Sequence, residues 1–121
     1  MTNKDQNLQY DLTERTAHFG EMVLQFAKKI QQNPINEPLI TQLVKAATSI
    51  GANYCEAEDA VSKRDFRNKI GICRKESKET MHWFRMIGSA NANLKIEARE
   101  LYKEARELNL IFSKIFRSSK E

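Results

Sequence analysis

The residues with the most chemistry to offer lie between positions 49 and 85 of the chain. Ser49, Asn53 and Glu56 recur at steps of four and three, which places them on one face of a helix. Ser77, with Glu76 and Glu79 beside it, lies on or next to an apolar stripe further along. Polar groups in such positions need hydrogen-bond partners. The pattern predicts a satisfied network that fixes the register of two helices, as buried polar positions do in coiled coils. A ligand-binding or catalytic role for the same set is the alternative.

The second group is basic. Lys63, Arg64, Arg67, Lys69, Arg74, Lys75, Lys78 and Arg85 crowd one segment, and Lys114, Arg117 and Lys120 follow near the end. Residues 62–90 hold eight basic and three acidic side chains, against one and four in residues 37–61. The formal net charge of +4 is therefore unevenly spread. A face of this kind attracts phosphates by charge and releases their counterions. No base-reading module accompanies it, so binding to RNA or DNA would follow backbone and shape. The plainer reading is a solvated basic surface.

Other constellations fall short of a site. Glu79-Thr80-Met81-His82 has the Glu-x-x-His spacing once, whereas a di-metal bundle uses it on two helices. His18 and His82 read as surface or helix–helix contacts. Cys55 and Cys73 are 18 residues apart without Cys or His companions. Neither a disulfide framework nor a zinc site fits that spacing, and both are expected to be buried thiols in a reducing compartment. There is no glycine-rich phosphate loop and no Ser/His/Asp grouping by spacing. The expectation is a protein with no metal, no cofactor and no enzymatic activity.

These residues must be positioned by helices. The chain has 121 residues, 40% apolar and 30% charged, with only four Gly and two Pro. That is the composition of long helices with solvated outer faces. Leu12, Phe19, Val23, Phe26 and Ile30 form the first stripe, over residues 11–32, which Asn33-Pro34 ends. Leu39, Leu43, Ala46, Ile50, Tyr54 and Ala57 form the second, over 37–60. Gly51 within it costs about 1 kcal/mol relative to Ala, which suggests a neighbouring backbone pressed against that spot. Ser62 is an N-cap for the third run, 63–89, with Asp65 in its first turn. The fourth, 95–117, is the most regular: Leu94, Ala98, Leu101, Ala105, Leu108, Phe112 and Ile115 step by four and three, a seven-residue repeat. The charges on its outer face alternate in sign and are expected to form i,i+4 pairs in solvent. Short connections force antiparallel neighbours. The fold class is therefore all-α, an antiparallel up-down-up-down four-helix bundle over 11–118, with residues 1–10 a disordered or extended lead-in and 119–121 a tail. No run approaches a membrane span and no secretory leader is visible, so a cytoplasmic protein is expected.

The segment Ser49-Ile50-Gly51-Ala52-Asn53-Tyr54-Cys55-Glu56-Ala57, followed by Ser62 and Phe66, resembles the central pattern of a known family. So do Lys75-Glu76-Ser77-Lys78-Glu79-Thr80 with His82-Trp83-Phe84, and Glu107-Leu108 through Ile111 and Ile115 in the last run. The family is that of the four-helix-bundle proteins encoded in intervening sequences of bacterial 23S rRNA genes, related to the accessory variability determinants of diversity-generating retroelements. Ala57 stands where many members have Gly. The resemblance implies a homopentameric barrel. For the retroelement relatives it implies binding to nucleic acid and to a reverse transcriptase. Ile40, Val44, Trp83 and Ile111 lie outside the inner stripes and offer apolar surface for assembly. Two functions follow from these readings: a nucleic-acid-binding homo-oligomer, or a protein–protein scaffold for which nucleic acid is irrelevant.

Overall fold

A computed structural model describes residues 11–120; the lead-in expected over 1–10 lies outside them. Four helices account for nearly all of it: α1 (Leu12–Lys28), α2 (Asn36–Glu58), α3 (Lys63–Ala90) and α4 (Lys95–Ser118), with a 3-10 turn, Ala92–Leu94, leading into α4. No strand is present among the described residues, and the four-helix bundle read from the periodicity is the fold. α3 is packed most closely, along α2 on one side and α4 on the other, while α1 lies along α2 and keeps its backbone farther from α4. No helix is long and apolar enough to cross a membrane.

The apolar stripes meet in one core. Phe19 and Phe26 of α1 contact Phe84 of α3 edge-on, at centroid distances of 6.3 and 5.7 Å. Tyr54 of α2 leans on Phe112 of α4 at 5.8 Å. Ala46 and Ala47 are buried in α2, and such small side chains let neighbouring helices approach. Gly51 does face a backbone, as its position suggested: a Cβ there would lie 3.5 Å from the Thr16 carbonyl carbon and oxygen of α1. The buried hydroxyls are satisfied within their own helices. Thr16 donates to the Leu12 carbonyl at 2.7 Å and Thr80 to the Glu76 carbonyl at 2.7 Å.

Three expectations need correction. α1 ends at Lys28 rather than at residue 32. Its last turn tightens as the Lys29 N–H reaches the Phe26 carbonyl and the Ile30 N–H the Ala27 carbonyl. That turn tucks Ile30 into the core. Asn33 then serves α2 rather than α1, its Oδ1 accepting from the Ile35 and Asn36 N–H groups at 3.0 and 2.7 Å. The second correction concerns apolar surface. Ile40, Val44, Trp83 and Ile111 are all partly buried, and the large apolar side chains left in water include Val61 (91% exposed), Ile96 (80%) and Leu110 (51%). The third is Cys55, which is exposed; Cys73 is buried. Ser62 does cap α3, accepting from the Asp65 N–H at 3.0 Å, while Asp65 accepts in return from the Val61 N–H at 3.1 Å.

A polar pair joins two of the loops. Asn36 is fully buried at the start of α2, and Asn91 is nearly so at the end of α3. Their side-chain amides exchange hydrogen bonds in both directions, each 2.9 Å. Asn36 also donates to the Gln31 carbonyl and Asn91 to the Ile87 carbonyl. The α1–α2 and α3–α4 connections are thereby tied at the same end of the bundle. Asn36→Leu strips Asn91 of its partner in a dry site, at a cost of about 1–3 kcal/mol. Thermal unfolding should show a melting temperature lowered by roughly 5–15 °C, and the Asn36→Ala/Asn91→Ala double variant should lose less than the sum of its single variants. Burial also pushes the Cys73 thiol up to about 12. At pH 8 a thiol-specific reagent should therefore titrate Cys55 at once and reach Cys73 only after a denaturant is added.

Candidate nucleic-acid interface

Each helix commits one stripe to the core, and what remains is two flanks. On α4 the flanks differ in sign. Glu97, Glu100, Glu104 and Glu107 recur at three, four and three residues. Lys95, Arg99, Tyr102, Arg106, Asn109, Ser113 and Phe116 recur at four, three, four, three, four and three, and Lys120 continues the spacing just past the helix end. Each series therefore lies along one line of the helix.

The acidic line faces α1. Arg15 grips Glu104 with two parallel bonds, Nε at 2.8 Å and one terminal nitrogen at 2.9 Å. That hydrogen bonding, with the charges of Glu104 and Glu107, raises the Arg15 pKa despite partial burial. Lys29 meets Glu97 at 2.8 Å. The expectation of i,i+4 pairs along a solvated face is thus replaced by pairs between helices. The one ion pair within α4 among the described residues is Lys103–Glu100, i,i+3, at 3.6 Å.

The basic line faces α3, whose own Arg67, Gly71, Arg74, Lys78 and Arg85 keep the matching spacing. Contacts across the seam confirm the pairing of the two lines. The Phe116 ring lies beneath the Arg67 guanidinium, 3.8 Å from its centroid, with the Arg74 guanidinium at 5.2 Å. Gly71 makes the room: a Cβ on it would stand 3.1 Å from the ring. Asn109 donates from Nδ2 to the Arg74 carbonyl at 2.8 Å and to Ser77 Oγ at 3.2 Å. Arg67 Nε is buried and without a hydrogen-bond partner, the ring face taking that place. No carboxylate of the described residues lies within 4 Å of a charged nitrogen of Arg64, Arg67, Arg74, Lys78, Arg85, Lys95, Arg99 or Arg106.

Two grooves open along this seam. One, of about 610 Å³, is lined by Arg64, Arg67, Asn68 and Lys120. The other, of about 680 Å³, lies at the opposite end, where Arg85, Gly88 and Ser89 of α3 face Lys95, Arg99, Tyr102, Lys103 and Arg106 of α4.

Of the basic residues singled out in the sequence, the structure brings Arg64, Arg67, Arg74 and Arg85 to the seam, together with Lys120, and Lys78 shares their line by spacing. Lys63 opens α3 and lines a cleft with Ser118 and Ser119 at the bundle end. Lys69 turns to α2 and pairs with Glu56 at 2.7 Å, which raises its pKa. Lys75 is exposed. Lys114 follows Glu107 by seven residues on the acidic line, and Arg117 follows Leu110 by seven on the outermost one. Sequence reasoning passed over Lys95, Arg99, Lys103 and Arg106. Their signal was present: Lys95, Tyr102, Asn109 and Phe116 repeat every seven residues, as do Arg99, Arg106, Ser113 and Lys120.

The expected polar network is not formed as one unit. Among the described residues no hydrogen bond joins Ser49, Asn53 or Glu56 to Glu76, Ser77 or Glu79. Asn53 donates to the Ser49 carbonyl at 2.9 Å within α2. Glu79 accepts from Trp83 Nε1 at 3.0 Å within α3. Glu76 is half-buried, and burial together with the charge of Glu79 raises its pKa. Ser77 is buried and turned to the other side, donating to the Arg74 carbonyl at 2.9 Å. The side-chain pair that locks two loops together is Asn36–Asn91 instead. No cluster of three His, Cys, Asp or Glu suited to a metal occurs among the described residues.

The profile of the family described as "23S rRNA-intervening sequence protein" matches residues 9–114. The chain belongs to this family. A similar solved structure is the crystal structure of a protein of unknown function from the S23 ribosomal protein family of Bacteroides thetaiotaomicron VPI-5482. It is 27% identical, with a TM-score of 0.75, over 86% of this chain and 96% of that one. None of the curated proteins matches. Family membership and this structural likeness agree on the four-helix bundle.

Removing the ring at the seam tests its geometry. Arg67 lies over the Phe116 face, so its side-chain proton resonances should be shifted upfield by the ring current. Phe116→Leu should return them to ordinary positions in the NMR spectrum and cost about 0.5–1 kcal/mol of cation–π interaction.

Proposed function

We propose that this intervening-sequence family protein binds nucleic acid along the α3–α4 seam, by the sugar–phosphate backbone and without catalysis. The observation that carries the reading is the partition of charge on α4. Acidic side chains are drawn to α1 by Arg15 and Lys29, while the basic ones face the basic flank of α3. Arginines without carboxylate partners form forked phosphate ligands, and a double row of them follows a strand of phosphates. Each phosphate neutralised releases counterions, so affinity must fall as salt rises.

The homopentamer implied by the family resemblance belongs to the same proposal, because identical seams on a ring multiply a weak contact through avidity. Val61, Ile96 and Leu110, left in water by the single chain, are surface that self-assembly would cover. A cytoplasmic location, and the accessory role beside a reverse transcriptase that the resemblance to retroelement accessory proteins implies, extend the reading further. A protein–protein scaffold is the competing function. It predicts a partner captured from lysate that survives nuclease treatment.

The deciding experiment is a salt-titrated binding assay with RNA and DNA, run beside light scattering for the assembly mass. Arg85→Ala/Arg99→Ala/Arg106→Ala should weaken binding at least about tenfold. It should also flatten the slope of log affinity against log salt by roughly 0.7–0.9 for each phosphate no longer neutralised. Lys114→Ala/Arg117→Ala should change affinity by less than about twofold. Equal losses in the two variants, or affinity indifferent to salt, would overturn the assignment to the seam.

A further inference from the structure

The groove where α3 ends and α4 begins differs from the rest of the seam, because its lining includes an aromatic ring among the cations. Tyr102 lines it with Arg85, Lys95, Arg99, Lys103 and Arg106, and no carboxylate contributes to the wall. Of the five cations only Lys103 has an acidic neighbour, Glu100 at 3.6 Å, among the described residues. The floor is apolar or small: Phe84, Gly88 and Ala98. The first turn of α4 packs directly on α3 here: a Cβ on Gly88 would lie at ordinary contact distance, 3.6 Å from the Ala98 Cβ and 3.9 Å from the Lys95 Cα. Tyr102 is half-buried and packs against the core, so its ring is held rather than free to swing.

A cavity of about 680 Å³ is within the usual range for a small ligand, roughly 300–1,000 Å³. Its chemistry calls for a ligand that is anionic at its edge and flat and apolar at its centre. A duplex offers phosphates and keeps its bases stacked on one another, so it would use the cations and leave the ring idle. A single strand offers both features at once. Aromatic rings in basic grooves serve as stacking platforms for bases irrespective of sequence.

We propose that this groove is a single-strand site: one unpaired base stacks on Tyr102 while its flanking phosphates are held by Arg85, Arg99 and Arg106. The inference rests on the reading of the seam as a nucleic-acid surface and adds the class of nucleic acid and the residue that selects it. The other end of the seam has no such role, because there the ring of Phe116 is covered by Arg67.

The test uses the full chain and fluorescence anisotropy with labelled oligo(dT), oligo(U), an abasic strand of equal length and a duplex, all at one salt concentration. The single strands should bind about tenfold more tightly than the abasic strand. Tyr102→Leu, which keeps apolar bulk and removes the π-face, should lose about fivefold or more on both base-bearing strands and nothing on the abasic strand or the duplex. Tyr102→Phe should match the unsubstituted protein. Equal affinity for base-bearing and abasic strands, or a Tyr102→Leu loss that is the same on all four probes, overturns the stacking site while leaving the charged seam intact. No binding to any probe overturns the seam itself. Should Tyr102→Leu fail to fold, the unsubstituted protein decides with a strand carrying 2-aminopurine: a change in its fluorescence on binding supports stacking, and constant fluorescence refutes it.

Discussion

α4 carries six basic and four acidic side chains, and a helix whose inner stripe is occupied by Leu101, Ala105, Leu108 and Phe112 has only two flanks on which to place them. In this bundle the neighbouring helices decide which sign goes where. Arg15 and Lys29 on α1 stand opposite Glu104 and Glu97. Arg67 and Arg74 on α3 stand opposite a line that holds Phe116, Asn109 and Arg106 rather than carboxylates. Opposite charges attract and like charges repel across a few ångströms of partly dry surface, so Glu97 and Glu104 of the acidic line find cations on α1 while the arginines of the basic line meet no carboxylate. The candidate interface is what this sorting leaves over.

Like charges facing each other across the α3–α4 seam cost stability, and the seam holds the means to offset that cost. Phe116 lies under Arg67 in the gap left by Gly71, so an aromatic face meets a cation instead of another cation. Asn109 reaches the Arg74 carbonyl and the Ser77 hydroxyl, adding a neutral polar contact between the same helices. Close packing of α4 on α3 is therefore compatible with a row of arginines on each. At one end the loops are tied by the Asn36–Asn91 amide pair, near the α3–α4 turn where the Tyr102 groove opens. The groove is thus built on fixed backbone, which is what a binding surface without moving parts requires.

Helical number, order and antiparallel packing were legible in the sequence because apolar spacing is a local property that one chain carries in full. The Ser62 cap and the close approach at Gly51 were legible for the same reason. The end of α1 was misread because Ile30 satisfies the helical period yet enters the core from a turn; periodicity registers burial, not the conformation that achieves it. The polar residues of α2 and α3 share the spacing of a buried network. Glu56 and Glu79, however, found partners in Lys69 and Trp83, and Ser77 turned to the opposite side.

What the sequence by itself determined is the set of stripes: an apolar one on each helix, and on α4 the seven-residue recurrences of Lys95 with Tyr102 and of Arg99 with Arg106. Only the tertiary structure decided what each stripe confronts. A linear pattern states which side chains share a flank, since that follows from the helical repeat alone. The sign of the charge across the gap depends on which helix packs there and in what rotation about its axis, and that is settled by how the four apolar stripes interlock in one core. The seam's cations on α3 were therefore named from sequence, and Lys95, Arg99, Lys103 and Arg106 emerged once α4 was seen to turn its basic flank towards them.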